Sequence, residues 1–230
     1  MENTKTNFIP PWEAVLVIIV TFFIFIFLSA ASLLTIGDKP TLVIGELLIL
    51  AVPLGYLLLK RIDIKSFVKI DLNPKFIVLG LACGGLLLLL NIVVSGALTA
   101  VFGTSQAVEQ SNSLITGLSS SPSGLTAVVA SLALAGVCEE FAFRGFLQNS
   151  IFKALCSNLQ KAKYAFPIAV TISAVVFGLF HFDPQGVYTI SAFISGLALG
   201  YIYHRWNYTT SATAHASMNL IVLVLLLRGF

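Results

Sequence analysis

Apolar positions run unbroken along this chain for lengths that a water-facing surface does not tolerate. Ala14 to Ile36 is 23 residues without a charge, and Phe76 to Phe102 is 27. About 20 such residues cross a bilayer core as a helix, which satisfies its backbone hydrogen bonds internally. Read with its breaks, the pattern predicts helices near 12–36, 41–59, 76–102, 125–152, 165–182, 187–203 and 208–228. Gly37-Asp38-Lys39-Pro40 is a turn cluster, Asn73-Pro74 stops what precedes the third span, and Asp183-Pro184 ends the fifth. Pro167 suits a first helical turn, where its missing N–H costs little. The predicted fold class is therefore all-α, a polytopic transmembrane helix bundle of about seven spans. It forms one domain, 1–230, whose polar core lies in 125–228.

Composition agrees. Hydrophobic residues make up 57% of the chain and charged residues 10%, against about 25% charged in soluble domains. The first apolar run exceeds the ~7–15 residues of a signal-peptide core, so it reads as a retained span. Three cysteines, Cys83, Cys138 and Cys156, give no disulfide framework.

The net charge of +3 matters less than its placement. Lys60, Arg61, Lys65, Lys69 and Lys75 fill one loop, Lys153, Lys161 and Lys163 another, and Arg205 a third, while the alternate loops carry only Lys39. Basic short loops face the cytoplasm. Seven spans with the N-terminus inside, in the plasma membrane, satisfy this alternation. Tyr201, Tyr203, Trp206 and Tyr208 then form an aromatic belt at the inner interface. The partners expected are membrane lipid and a polypeptide, not nucleic acid.

A charge inside the hydrocarbon costs roughly 2.5–3.5 kcal/mol even on insertion scales, so polar residues within the spans carry function or are tightly paired. The fourth span holds Glu139, Glu140 and Arg144. Glu140 and Arg144, at i,i+4, share a face and can neutralise each other; Glu139, about 100° round the helix, is left without that partner. Burial raises the pKa of an unpaired carboxyl, which suits it to general acid–base work. The fifth span ends at Phe177-Gly-Leu-Phe-His181, and the seventh carries His215 and Asn219 at i,i+4. Either histidine alone reads more readily as a hydrogen-bonded core residue; with an acidic pair and an Asn on three helices, the set reads as a site. Glu46 lies within the second span, as a cap to a cavity or a partner to a neighbour.

These three pieces resemble the CAAX protease and bacteriocin-processing family, also called the Abi family of intramembrane proteases, and are similar to type II CAAX prenyl endopeptidases. The family pattern is Glu-Glu-x-x-x-Arg, then Phe-x-x-x-His, then His-x-x-x-Asn or Asp. Here it falls on Glu139-Glu140 to Arg144, Phe177 to His181, and His215 to Asn219. The resemblance implies peptide-bond hydrolysis within the membrane, with Glu139 and His181 activating a water. His215 and Asn219 would hold the oxyanion, and Arg144 would hold Glu140 and the helix in register. The substrate implied is a membrane-bound, possibly lipidated polypeptide, cut without a cofactor.

Zinc or another divalent metal is the alternative, with Glu139, His181 and His215 as ligands, although no His-Glu-x-x-His is present. A non-catalytic scaffold or bacteriocin-immunity type protein could keep the same fold. A transporter would use buried Glu and His too, but its expected internal symmetry is missing from the sequence. A serine dyad of Ser195 with His215 lacks any mark of an activated serine. A straight-helix ruler spreads the site residues in depth, so tilt, early helix starts or a bent fourth span must bring them together.

Overall fold

The computed structural model describes residues 8–157 and 162–229, so Lys161 lies outside the described residues. The chain is all-α. In order, the helices are α1 (Pro11–Ile36), α2 (Asp38–Leu59), the short α3 (Ile64–Val68), α4 (Pro74–Phe102), α5 (Gln106–Ser119), α6 (Pro122–Glu140), α7 (Asn149–Cys156), α8 (Ala165–Phe180), α9 (Val187–Arg205) and α10 (Tyr208–Leu227). A π-helical stretch, Phe141–Gln148, joins α6 to α7 into one rod, and a 3₁₀ turn, Ala162–Tyr164, leads into α8.

Local chemistry sets where the spans start. Asn73, Ser121 and Asn207 each accept a hydrogen bond from the N–H two or three residues on, at the head of α4, α6 and α10. Pro74 and Pro122 occupy the first turns that follow, where no N–H is needed.

Among the described residues, six helical segments are long and apolar enough to cross a membrane: α1, α2, α4, the rod Pro122–Cys156, the segment Ala162–Phe180, and α10. The helix expected as a further span, α9, is present with 19 residues. Its buried Ser191, Ser195, Gly196 and Gly200 and its terminal His204 and Arg205 dilute its mean hydropathy, so it does not join those six. Large side chains such as Phe23, Phe27, Leu86 and Val93 remain exposed on α1 and α4, as a lipid-facing surface requires.

The two ends of the bundle differ. At one end the basic residues gather: Lys153 lies over the Phe67 ring, Lys69 over the Tyr203 ring, and the Lys69 carbonyl accepts from Tyr208 N–H. At the other end Lys39 reaches Ser121 and Ser123, and α5 lies against α6 and α10. Helix α5 occupies the Ser- and Gly-rich run that showed no apolar span. Ser105 caps it through the Val108 N–H.

Candidate active site

The rod Pro122–Cys156 and α10 run antiparallel, and glycine decides how closely. A Cβ on Gly136 would collide with the backbone of Ala216, and Gly80 and Gly84 of α4 lie as close to Thr210 and Ala214 of the same helix. Small residues let helix backbones approach in membranes. The result is that His215 lands beside the acidic pair. Its Nδ1 is 3.2 Å from Glu140 Oε1, and its Nε2 is 3.9 Å from Glu139 Oε2.

This also resolves the depth problem. Asn219 faces the Leu132 carbonyl at 3.5 Å, His215 the acidic pair, and Tyr208 donates to the Val137 carbonyl at 2.8 Å. Helix α10 thus starts partway along the rod, not at its end. The rod itself is 35 residues, or roughly 50 Å at 1.5 Å per residue, longer than a bilayer core of ~30 Å.

The two adjacent glutamates have different surroundings. Glu140 is fully buried and its Oε1 is 3.3 Å from Arg144 Nη1. Arg144, also fully buried, stacks on the Phe177 ring at 4.3 Å and donates to the Gly196 carbonyl at 3.4 Å. Glu139 retains 8% exposure, and among the described residues no donor reaches its Oε2. Glu140 is held at Oε1 by Arg144 and His215, while its Oε2, like that of Glu139, has no hydrogen-bond partner among the described residues.

Phe177 holds both imidazoles. Its ring centroid is 4.6 Å from that of His181 and 5.9 Å from that of His215. His181 lies just beyond the end of α8, with Nδ1 2.9 Å from the Phe177 carbonyl. A carbonyl only accepts, so Nδ1 carries the proton and the Nε2 lone pair is left free. His181, His215, Asn219 and Phe177 all line one cavity of about 490 Å³, which continues to α5.

Two residues near this group were not placed by the motifs. Glu46 of α2 is close enough to Glu139 for the two charges to act on each other, and its Oε2 has no partner among the described residues. Glu46 thus lies near Glu139 and is not among the residues that line the cavity. The intramembrane carboxylate was itself the signal. Tyr188 of α9 packs edge-on to His181 at 5.1 Å and lines the cavity. Nothing in its local sequence marked it.

The alternative ligand set Glu139, His181 and His215 does not assemble as one. Among the described residues no three His, Cys, Asp or Glu side chains group to hold a metal ion. The donor set as arranged does not fit a three-ligand site.

Residues 121–221 match the family model described as Rce1-like, type II CAAX prenyl endopeptidase. That segment is CAAX-protease-like. It spans all three motifs and the helices α6 to α10 that carry them. Neither a curated protein nor a solved structure matches the chain.

Proposed function

We propose that the CAAX-protease-like core is an intramembrane endopeptidase in which Glu139 is the general base. The observation that carries this reading is the unpartnered Glu139 carboxylate 3.9 Å from His215, which lines the cavity together with His181 and Asn219, although Glu139 itself is not among the lining residues. Glu139 and the free Nε2 of His181 take a proton from a water, whose oxygen attacks the peptide carbonyl carbon. The developing oxyanion accepts from the Asn219 amide and from a proton on His215 Nε2. Such donors, aimed where charge develops, are worth about 2.7–4 kcal/mol each in comparable sites. Collapse breaks the C–N bond, the proton passes to the leaving amine, and the products are a carboxylic acid and an amine.

In this reading Glu140 and Arg144 do no chemistry. Glu140 holds His215 through Nδ1 so that Nε2 points to the reacting group, and Arg144 neutralises Glu140. The orientation proposed has the N-terminus and the basic end on the cytoplasmic side of the plasma membrane.

The test is Glu139→Gln in detergent, assayed on a peptide library with and without a chelator. We expect hydrolysis to fall by ~10²–10⁴-fold with an unchanged melting temperature, and the chelator to have no effect. Retained activity in the variant would remove Glu139 from the mechanism. Loss of wild-type activity to the chelator would replace the metal-free step.

A further inference from the structure

Of the four residues proposed for the chemistry, Glu139, His215 and Asn219 sit within helices, whereas His181 lies just past the end of α8. Residues at helix ends fray, and a catalytic group has to be held to within about 0.5 Å of its working position. Something beyond α8 must supply that precision.

The first turn of α9 supplies it. The His181 N–H donates back to the Gly178 carbonyl at 3.0 Å, and the His181 carbonyl accepts from the Thr189 hydroxyl at 3.1 Å. The same hydroxyl oxygen accepts from the Asp183 N–H at 2.8 Å. With one atom, Thr189 ties two backbone groups of the turn to α9. The Asp183 carboxylate closes the turn a second time, accepting from the N–H groups of Gln185 at 3.2 Å and Tyr188 at 3.0 Å. Gly178 allows the approach, since a Cβ there would lie 3.0 Å from the Thr189 carbonyl. Neither Asp183 nor Thr189 lines the cavity, so both act on what enters it only through the residues they hold.

The His181 side chain is fixed by three contacts. Its Nδ1 is 2.9 Å from the Phe177 carbonyl, the Phe177 ring lies 4.6 Å away at a tilt of 48°, and the Tyr188 ring meets it edge-on at 5.1 Å and 88°. The backbone bond from Tyr188 to Asp183 therefore also sets where that ring stands. His181 and Tyr188 both line the cavity. In a neutral imidazole one nitrogen donates and the other accepts, and the partner of one fixes the role of the other. Keeping Nδ1 on the Phe177 carbonyl is what keeps the lone pair on Nε2.

We infer that Thr189 and Tyr188 are positioning residues for His181. The Thr189 hydroxyl fixes its backbone and the Tyr188 ring fixes its imidazole, so that Nε2 is presented as the basic nitrogen. What this does for catalysis rests on the hydrolytic reading; what it does for the tautomer of His181 does not.

Two pairs of variants in detergent test it: Thr189→Val with Thr189→Ser, and Tyr188→Leu with Tyr188→Phe. Tyr188 is 40% exposed, so exchanging it should leave the fold intact. The ¹⁵N signals of labelled histidine report the tautomer of each ring at a pH where the rings are neutral. The chain has three histidines, and His181→Gln identifies the signal. We expect the proton on Nδ1 of His181 in the wild type, and a mixture of tautomers in Thr189→Val and Tyr188→Leu. On library peptides kcat should fall ~10–10²-fold in those two, the scale set by a misplacement of about 1 Å, with KM unchanged. Thr189→Ser and Tyr188→Phe should recover both readouts, because they keep the hydroxyl and the ring. Wild-type tautomer and kcat in Thr189→Val or Tyr188→Leu overturns the inference for that residue. So does a Tyr188→Phe chain that falls as far as Tyr188→Leu, which would put the phenol hydroxyl, not the ring, at work. If the wild type cuts nothing, the hydrolytic reading fails, and the tautomer alone decides whether α9 holds His181.

Discussion

The rod Pro122–Cys156 carries buried polar residues over two stretches, and the two behave in opposite ways. Along Arg144–Asn149 each polar side chain has a backbone carbonyl to itself: Arg144 with Gly196, Gln148 with Gly200 at 3.0 Å, Asn149 with Phe67 at 2.6 Å. Ser173 of α8 returns the favour to the Phe143 carbonyl at 2.8 Å, within the π-helical stretch. One or two turns earlier, Glu139 and Glu140 each leave an oxygen without a partner, and Glu46 on α2 adds a third. Both stretches are buried, so the cost of bringing polarity into hydrocarbon does not distinguish them. What distinguishes them is the kind of partner: the later stretch anchors its donors to neighbouring backbones, although Arg144 Nε and Nη1 and Gln148 Oε1 have no hydrogen bond among the described residues, while the earlier one gathers carboxylates that no donor fully covers. Anchored donors set the packing, and carboxylates left short are where an added donor would gain most.

The largest effect should come from breaking the anchored side. Arg144→Leu leaves Glu140 charged, buried and without its cation, which costs ~3–5 kcal/mol. The expected result in a detergent melt is loss of the folded, monodisperse protein. If Arg144→Leu melts like the wild type, the pair is not structural and the contrast between the stretches fails. Next comes the open side. Asn219→Ala should lower kcat by ~10²–10³-fold while the melting temperature stays put, since its bond to the Leu132 carbonyl is long at 3.5 Å. A fall in stability without a fall in kcat would move Asn219 to the packing group. Smaller again is Gln148→Leu, which removes the bond to the Gly200 carbonyl and should cost ~0.5–1.5 kcal/mol with activity per folded molecule retained.

The sequence made the carboxylate and imidazole side easier to read than the anchored one. Glu139, His181, His215 and Asn219 stand out because ionisable and amide groups are rare in apolar runs, and helical spacing puts each on a definite face. Gln148 and Asn149 carried no such mark: they follow Gly145 near a predicted helix end, where polar residues are ordinary. Their partners, Gly200 and Phe67, are 52 and 82 residues away, and no local pattern connects them. The same holds for Glu46 and Glu139, on helices whose mutual register is set by packing. Helix α5 was missed for a different reason. Its residues, Gln106–Ser119, are too polar for a span and too rich in Ser and Gly to show an apolar stripe, so only its Ser105 cap betrayed it. The counted spans were legible because length and hydropathy are one-dimensional quantities; α9 blurred that count because its buried face is made of Ser and Gly.

The smallest predicted effect tests whether satisfaction can be titrated. Asp183, in the turn between α8 and α9, lies outside the spans and is 2% exposed. Burial works to raise its pKa, but the N–H groups of Tyr188, Gln185 and Val187 and the Ser105 hydroxyl outweigh it and hold the carboxyl below its ordinary value. A carboxyl with a lowered folded-state pKa adds stability above its unfolded value, near 3.8, and that stability is lost as the pH falls through the folded value. Asp183→Asn keeps one acceptor and removes the charge. It should therefore melt below the wild type at pH 7, and the gap should close steadily as the pH is taken down through the unfolded value and below. Because Ser105 heads α5, whose residues line the cavity, the variant should also loosen that helix, raising the rate at which a thiol reagent labels Ser111→Cys at pH 7 in a chain with its native cysteines replaced. A gap in melting temperature that persists unchanged at low pH would mean that Asp183 acts by shape, and that the carboxylate charge contributes nothing to the cover of the site.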